Sequence, residues 1–185
     1  MRIIKLGGSL LHAQTLLHCL NRIEKQYSEN TVIVSGGGIF ADQVRLTQQQ
    51  WGFDDTTAHE MALLAMQQMA LLFKGLKPNF ALAHQSESIL KLLAGQAHTP
   101  VIWSPDIAEL NRAAIAPTWQ ITSDSLAAWL AKSLSARQLI LVKSTPINPR
   151  LTLQELINQG IIDEAFSDFV AHAPFTLAIY NSENF

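Results

Sequence analysis

Two short apolar runs each break off into glycines, and that repeat constrains the fold more than anything else in the chain. Residues 1–11 read MRIIKLGGSLL: Ile3, Ile4 and Leu6 form an apolar run, and Gly7-Gly8-Ser9 follows at once. Residues 31–38 read TVIVSGGG: a β-branched run meets Gly36, Gly37 and Gly38. Apolar runs of this kind, bounded by glycine, predict buried strands of a parallel sheet. A helix-like pattern follows each glycine turn. A strand that feeds a helix through glycines is a device for holding anions. Its backbone N–H groups can converge on an oxyanion without Cβ interference, and the helix start adds unpaired donors and a favourable dipole. A β-branched residue at Gly37 would crowd such a turn and forbid any positive φ there. Lys5, just inside the first strand end, can add a point charge to the same phosphates. One Gly-Gly after a strand can be no more than a tight turn. Two such units, about thirty residues apart, set two anion cradles on the same edge of one sheet.

Between and after these turns the chain alternates strand and helix. Leu16, Leu20, Ile23 and Tyr27 recur at helical spacing, and Ser28-Glu29-Asn30 ends that helix. Ile39, Phe40, Val44 and Leu46 predict a second helix, with Arg45 on its polar side. Arg45 can reach a substrate carboxylate or phosphate from there; a solvated surface arginine is the plainer reading. Thr56 or Thr57 is placed to cap a long helix that runs to about Phe73, with Glu60 at capping-box spacing from Thr57. Met61, Leu64, Ala65, Met66, Met69, Leu72 and Phe73 give this helix a wide apolar side. Burial inside the domain and a homodimer surface both account for it. His59 and Glu60 open the same helix.

Residues 80–83, 101–103, 138–143 and 175–180 read as further strands, and 86–93, 151–158 and 163–170 as helices. In Ile121–Ser125, Thr122 or Ser123 can cap a helix whose apolar face is Leu126, Trp129, Leu130 and Leu134. Asp124 falls in its first turn, where a carboxylate complements the helix dipole. Lys143 and Ser144 close the strand QLILVK, at the edge where parallel sheets bind ligands. The alternation predicts an α/β fold: a three-layer αβα sandwich with a mainly parallel, doubly wound central sheet, in a single domain over 1–185. Right-handed crossovers would bring Lys5, Gly7, Gly8, Gly36–Gly38, Asp124 and Lys143 to one side.

Three of these stretches carry a resemblance. KLGGSL at Lys5–Leu10, VIVSGGG at Val32–Gly38 and ITSDSLAAWLAKSL at Ile121–Leu134 resemble, in order, the three signatures of the amino acid kinase superfamily. That superfamily includes the acetylglutamate, aspartate, carbamate and uridylate kinases. Within it, the TSDS-LAAWLA wording and short length look most like the small kinases of methanofuran biosynthesis, which phosphorylate an aminomethylfuran-methanol phosphate. The resemblance implies an ATP-dependent kinase acting on a small anionic acceptor, with Mg²⁺ arriving on the nucleotide and no protein metal cage. It implies that Asp124 sits at the catalytic centre and orients lysines, and that Lys5 with Gly7, Gly8 and Ser9 holds the transferring phosphoryl group. Gly36, Gly37, Gly38 and Arg45 would serve the acceptor. Related kinases commonly pair through a helix at the position of residues 61–73. The chain also departs from the family. Where kinases of this type carry a Thr-Asp-Val-Asp-Gly-like turn, it reads KSTPINPR, and the later glycine-rich stretch with a second phosphate-binding lysine is not visible. Either Lys143 or Lys132 then stands in, with Lys143 and Ser144 taking over some nucleotide contacts, or ATP is held differently. The alternative is a non-catalytic nucleotide- or metabolite-binding protein on the same fold.

Composition narrows the remaining classes. Hydrophobic residues make up 48% and charged residues 15%, which suits a well-buried fold. Net charge is −2 with no long basic block, which argues against a nucleic-acid partner. No apolar run approaches a membrane span, and the first residues enter a strand without the pattern of a signal peptide. Cys19 is the single cysteine, so no intrachain disulfide forms, and a reducing cytoplasm is the expected compartment. The six histidines show no metal-ligand spacing and read as surface or core residues.

Overall fold

The computed structural model describes residues 1–11, 15–27, 30–95 and 99–185. Among the described residues, six strands form one all-parallel sheet: β1 (Arg2–Leu6), β2 (Thr31–Ser35), β3 (Ala81–Ala83), β4 (Val101–Trp103), β5 (Gln138–Lys143) and β6 (Thr176–Asn181). Their spatial order is β3-β4-β2-β1-β5-β6. The helices are α1 (Thr15–Gln26), α2 (Gly38–Trp51), α3 (Asp55–Leu76), α4 (Ser86–Ala94), α5 (Ile107–Arg112), α6 (Ser123–Ser133), α7 (Leu153–Asn158) and α8 (Phe166–Val170). Among the described residues, no helix is long and apolar enough to cross a membrane.

Strand alternation assigns the two faces. Ile4, Leu6, Ile33, Ile140 and Val142 pack with Leu16, Cys19, Leu20 and Ile23 of α1 and with Met69 and Phe73 of α3. Ile3, Val32, Val34, Trp103, Leu139 and Leu141 pack on the other side with Leu126, Ala127 and Leu130 of α6. The period of two then decides where the polar residues go. Lys5 shares parity with Ile3 and lies in register with Leu141, and Lys143 is two residues further along β5. Both lysines therefore belong to the α6 side. From β1 the chain moves to β2 on one flank; from β4 it crosses to β5 on the other. That reversal opens a crevice at the carboxyl ends of β2, β1 and β5.

Several expected boundaries shift, each for a local reason. A 3-10 turn over Gly8–Leu11, not an α-helix, follows β1. The cap of α3 is Asp54, whose carboxylate accepts the Thr57 N–H at 2.8 Å, so the threonines are not the capping residues. On α2 only Val44 is buried; Ile39 and Leu46 are 41% and 59% exposed. On α3, Leu63, Met66, Met69 and Phe73 fill the two cores, while Leu64 and Leu71 face outward. Most of that wide apolar side is therefore internal, because the helix spans both layers. The last helix begins at Phe166, since Asp163 is engaged elsewhere. α1 ends at Gln26; Ser28 and Glu29, like His12 and His98, lie outside the described residues. Cys19 is buried, and burial pushes its thiol up to about 11, so it is an inert core residue.

Candidate active site

The two glycine turns meet backbone to backbone. A Cβ on Gly8 would lie 2.4 Å from the Gly38 nitrogen, and one on Gly36 would lie 2.7 Å from the Gly8 nitrogen. Glycine is required at these positions by mutual approach, before any ligand is considered. The positive φ of the triplet falls on Gly38, at 54°. Gly37 has φ −75°, so there is no positive φ at this position for a β-branched residue to forbid. A side chain at Gly37 would instead strike the Ala41 methyl at 2.5 Å. Two of the expected cradle amides are already used. The Gly7 N–H donates to the Val142 carbonyl at 3.0 Å, and the Gly36 N–H to the Leu6 carbonyl at 2.9 Å. They extend the sheet and lock the turns to it. The amides of Gly8 and Ser9 open the 3-10 turn, and those of Gly37 and Gly38 open α2. These are the donors that a helix start leaves without an internal partner.

Above the turns lies a buried ion cluster. Asp124, 2% exposed, stands between two lysines: Lys5 Nζ is 2.8 Å from one carboxylate oxygen and Lys143 Nζ is 2.5 Å from the other. The Lys143 contact is an aligned hydrogen bond; that of Lys5 is an ion pair outside hydrogen-bond alignment. Burial pushes the Asp124 carboxyl upward, but the two ammonium groups together outweigh it and hold it down at about 2. Burial also lowers the pKa of Lys143, and the like charge of Lys5 lowers it further, against the pull of Asp124. Thus Asp124 is ionised under all ordinary conditions, and Lys143 is the member of the cluster that releases its proton more readily than a free lysine.

A fourth charged group completes the cluster. Asp163, on the segment between α7 and α8, accepts the Thr122 and Ser125 N–H groups at 2.9 Å each and the Thr122 hydroxyl as well. Burial, and then the Asp124 charge, raises its pKa. No motif in the sequence marks this residue; its partners lie 38 to 41 positions away.

These groups border a cleft of about 480 Å³. Lys5, Gly8, Ser9, Gly36, Gly37, Gly38, Arg45, Asp124 and Lys143 all line it, whereas Gly7 and Ser144 stand behind the lining. Ser144 reaches the site indirectly, with its hydroxyl 2.7 Å from that of Ser9. The Ser182 N–H and the Asn181 side-chain amide hold the Lys143 and Ser144 carbonyls, so the end of β6 fixes this corner. Lys132, the other candidate second lysine, is directed away; its ammonium donates to the Ala171 carbonyl. At the far wall, Arg45 lies over the Trp119 ring, 4.4 Å from its centroid, and the Trp119 indole N–H donates to the Gln48 side-chain amide oxygen at 2.6 Å. His59 also lines the cleft, and burial lowers its pKa, so it is a neutral imidazole near neutrality. Trp119 and Asp163 are the site residues that sequence reasoning missed.

A glycine-turn pair at the edge of a parallel sheet, with a carboxylate holding two lysines over it, gives an α/β fold whose cleft presents backbone donors and ammonium groups together. The chain belongs to the amino acid kinase family, which it matches over residues 1–147. It is 30% identical over 148 residues to the [5-(aminomethyl)furan-3-yl]methyl phosphate kinase of Methanocaldococcus jannaschii, a match covering 76% of this chain. The chain spans 64% of the length of that relative. Its fold is shared with the uridylate kinase of Archaeoglobus fulgidus, with a TM-score of 0.70, 17% identity, and 98% and 92% of the two chains covered. It is also similar to the UMP kinase of Bacillus anthracis, with a TM-score of 0.71, 17% identity, and 99% and 87% covered. Aspartate kinase from Synechocystis gives a TM-score of 0.68 at 15% identity, with 99% of this chain and 38% of that chain covered.

Proposed function

We propose that this chain is an ATP-dependent small-molecule kinase. The observation that carries the reading is Asp124 held between Lys5 and Lys143 beside the two glycine turns. Phosphoryl transfer asks for positioning and charge neutralisation more than for covalent chemistry by the protein. An acceptor oxygen attacks the γ-phosphorus, the bond to the β–γ bridging oxygen breaks, and ADP leaves with those electrons. Negative charge spreads over the γ-phosphoryl oxygens as this happens. Two ammonium groups fixed by one carboxylate meet that charge without reorganising. In this reading Lys5, Lys143 and the Gly8 and Ser9 amides serve the transferring group. Lys143 takes the part of the second phosphate-binding lysine. Gly7 and Ser144 support these groups from behind.

The Gly37 and Gly38 amides and the Arg45 guanidinium serve the acceptor's own anion, and Gly36 anchors their turn. The acceptor is a small phosphate-bearing metabolite, and the name of the 30%-identical relative makes an aminomethylfuran-methanol phosphate the first to try. Mg²⁺ belongs on the nucleotide phosphates in this reading. Among the described residues no three His, Cys, Asp or Glu side chains cluster to hold a metal, and Asp124 and Asp163 are committed to lysines and amides. A homodimer or higher homo-oligomer in the cytoplasm is the expected setting.

The test is ADP release from ATP with that acceptor, with the product followed by phosphorus NMR. The rival reading is a nucleotide- or metabolite-binding protein without turnover, favoured by KSTPINPR in place of an acidic turn. Saturable binding of ATP and acceptor with no ADP formed would establish the rival.

A further inference from the structure

Helix α6 begins without a local cap. Thr122 occupies the N-cap position, yet its side chain accepts nothing from the first turn. The first N–H groups of a helix have no internal partner, and an N-cap oxygen ordinarily supplies one. Here that oxygen comes from across the chain. One oxygen of Asp163 accepts both the Thr122 and the Ser125 N–H, and the other accepts the Thr122 hydroxyl. Asp124 lies between these two anchored residues, on the same turn. Its carboxylate reaches one lysine on β1 and one on β5, so any slip of the turn moves it from both.

We propose that Asp163 is a positioning residue: it clamps the first turn of α6 so that Asp124 stands between Lys5 and Lys143. The proposal rests on the kinase reading for its consequence but not for its geometry. Asp163 touches no reacting atom in it. A displacement of about 1 Å at such a centre can cost about 10²-fold in rate.

Asparagine at 163 separates clamp from charge. Its carbonyl oxygen can accept both backbone N–H groups, and its amide can donate to the Thr122 hydroxyl, so all three contacts survive without the charge. Alanine removes all three. The charged groups that face Lys143 are Lys5 on β1, Asp124 on α6 and Asp163 itself. Losing the Asp163 charge therefore leaves Lys143 easier to deprotonate.

Asp163→Asn is expected to keep kcat within about threefold of wild type at neutral pH, with its alkaline limb moved to lower pH. Asp163→Ala is expected to lose about tenfold or more in kcat, with a much smaller change in KM for ATP. The readout that does not depend on turnover is NMR of the lysine side chains. The Lys5 and Lys143 signals should stay near their wild-type positions in Asp163→Asn at neutral pH and move in Asp163→Ala. Unmoved lysine signals in Asp163→Ala overturn the proposal, as do equal losses of kcat in both variants. If Asp163→Ala does not fold, Asp163→Ser replaces it. Its shorter side chain withdraws the acceptor from both N–H groups, and unmoved lysine signals in it overturn the proposal as well. A wild-type protein with no turnover would sink the kinase reading alone, because the lysine signals still decide the clamp.

Discussion

Lys5→Met removes one of the two ammonium groups from Asp124 and keeps an unbranched stem in its place. At the observed 2.8 Å separation, the gross attraction is about 6 kcal/mol at an effective dielectric of about 20. The net loss is much smaller, because Lys143 stays at 2.5 Å and a buried lysine gives back its desolvation cost when removed. Breaking a buried pair outright costs about 3–5 kcal/mol, so with one lysine retained we expect about 1–3 kcal/mol. The pH dependence has a definite sign. Asp124 is held at about 2, below its ordinary 3.8, so its contribution is present above the ordinary value and is lost as pH falls toward 2. That contribution is worth about 2–3 kcal/mol, from a shift of somewhat under two units. With Lys5 gone the carboxyl rises, and acid unfolding starts at a higher pH than in wild type. Turnover should fall by about 10²-fold or more, since a fixed charge is lost from the transferring group. Urea titrations near pH 7 and pH 4 measure the stability terms, and coupled ADP release at saturating ATP measures the rate. A folded variant with the expected acid sensitivity and wild-type turnover would refute the catalytic role of Lys5 and leave it a structural counter-ion.

Lys143 sets the alkaline behaviour: burial and then Lys5 lower its pKa, so kcat should decline below the pH at which a free lysine titrates. A rate that holds level to about pH 10 would remove Lys143 from the transferring group. Gly8→Ala should destabilise by about 2–3 kcal/mol or more, because its Cβ would lie 2.4 Å from backbone that cannot yield as a side chain does; an unchanged urea midpoint contradicts this. Leu64 and Leu71, 46% and 59% exposed on α3, lie seven residues apart on one helix face, and we propose that this face meets a second copy. Sedimentation at micromolar concentration should give a dimer, and a clean monomer would leave that side as solvated surface.

The sequence reveals those features whose cause is local. β1, β2 and β5 are legible because strands buried on both faces must be apolar throughout, and Lys5 is the one interruption in its run. Strand parity then sends Lys5 and Lys143 to the α6 side, and the first-turn position of Asp124 needs no tertiary information. The cap of α3 lies two or three residues before the expected Thr56 or Thr57, since Asp54 and the threonines after it are all competent caps and only backbone geometry chooses between them. Asp163 was illegible for a different reason. Its three contacts are all made with residues 38 to 41 positions away, and its own neighbours in sequence show no pattern that demands a carboxylate. Trp119 is similar: its indole is placed by Gln48 and Arg45 of α2, from a loop without periodicity.

The glycines are the instructive middle case. A turn that must admit an oxyanion and a turn that must admit another backbone make the same demand on sequence, which is the absence of Cβ. The direction of the missing Cβ separates them. At Gly8 and Gly36 it points at the opposite turn, at Gly37 toward Ala41, and at Gly38 toward the Met69 sulfur and the Gly8 carbonyl. None of these vectors is reserved for a ligand alone. What remains for anions is the set of helix-start amides at Gly8, Ser9, Gly37 and Gly38, held in place because Gly7 and Gly36 have given theirs to the sheet. The glycines thus act one step removed: their packing sets the two helix starts side by side, and the helix starts offer the donors. A substitution at Gly8 consequently reports on the contact between the turns. The question of which anion each turn prefers is better put to Lys5, Lys143 and Arg45, whose charges can be removed while that contact stays whole.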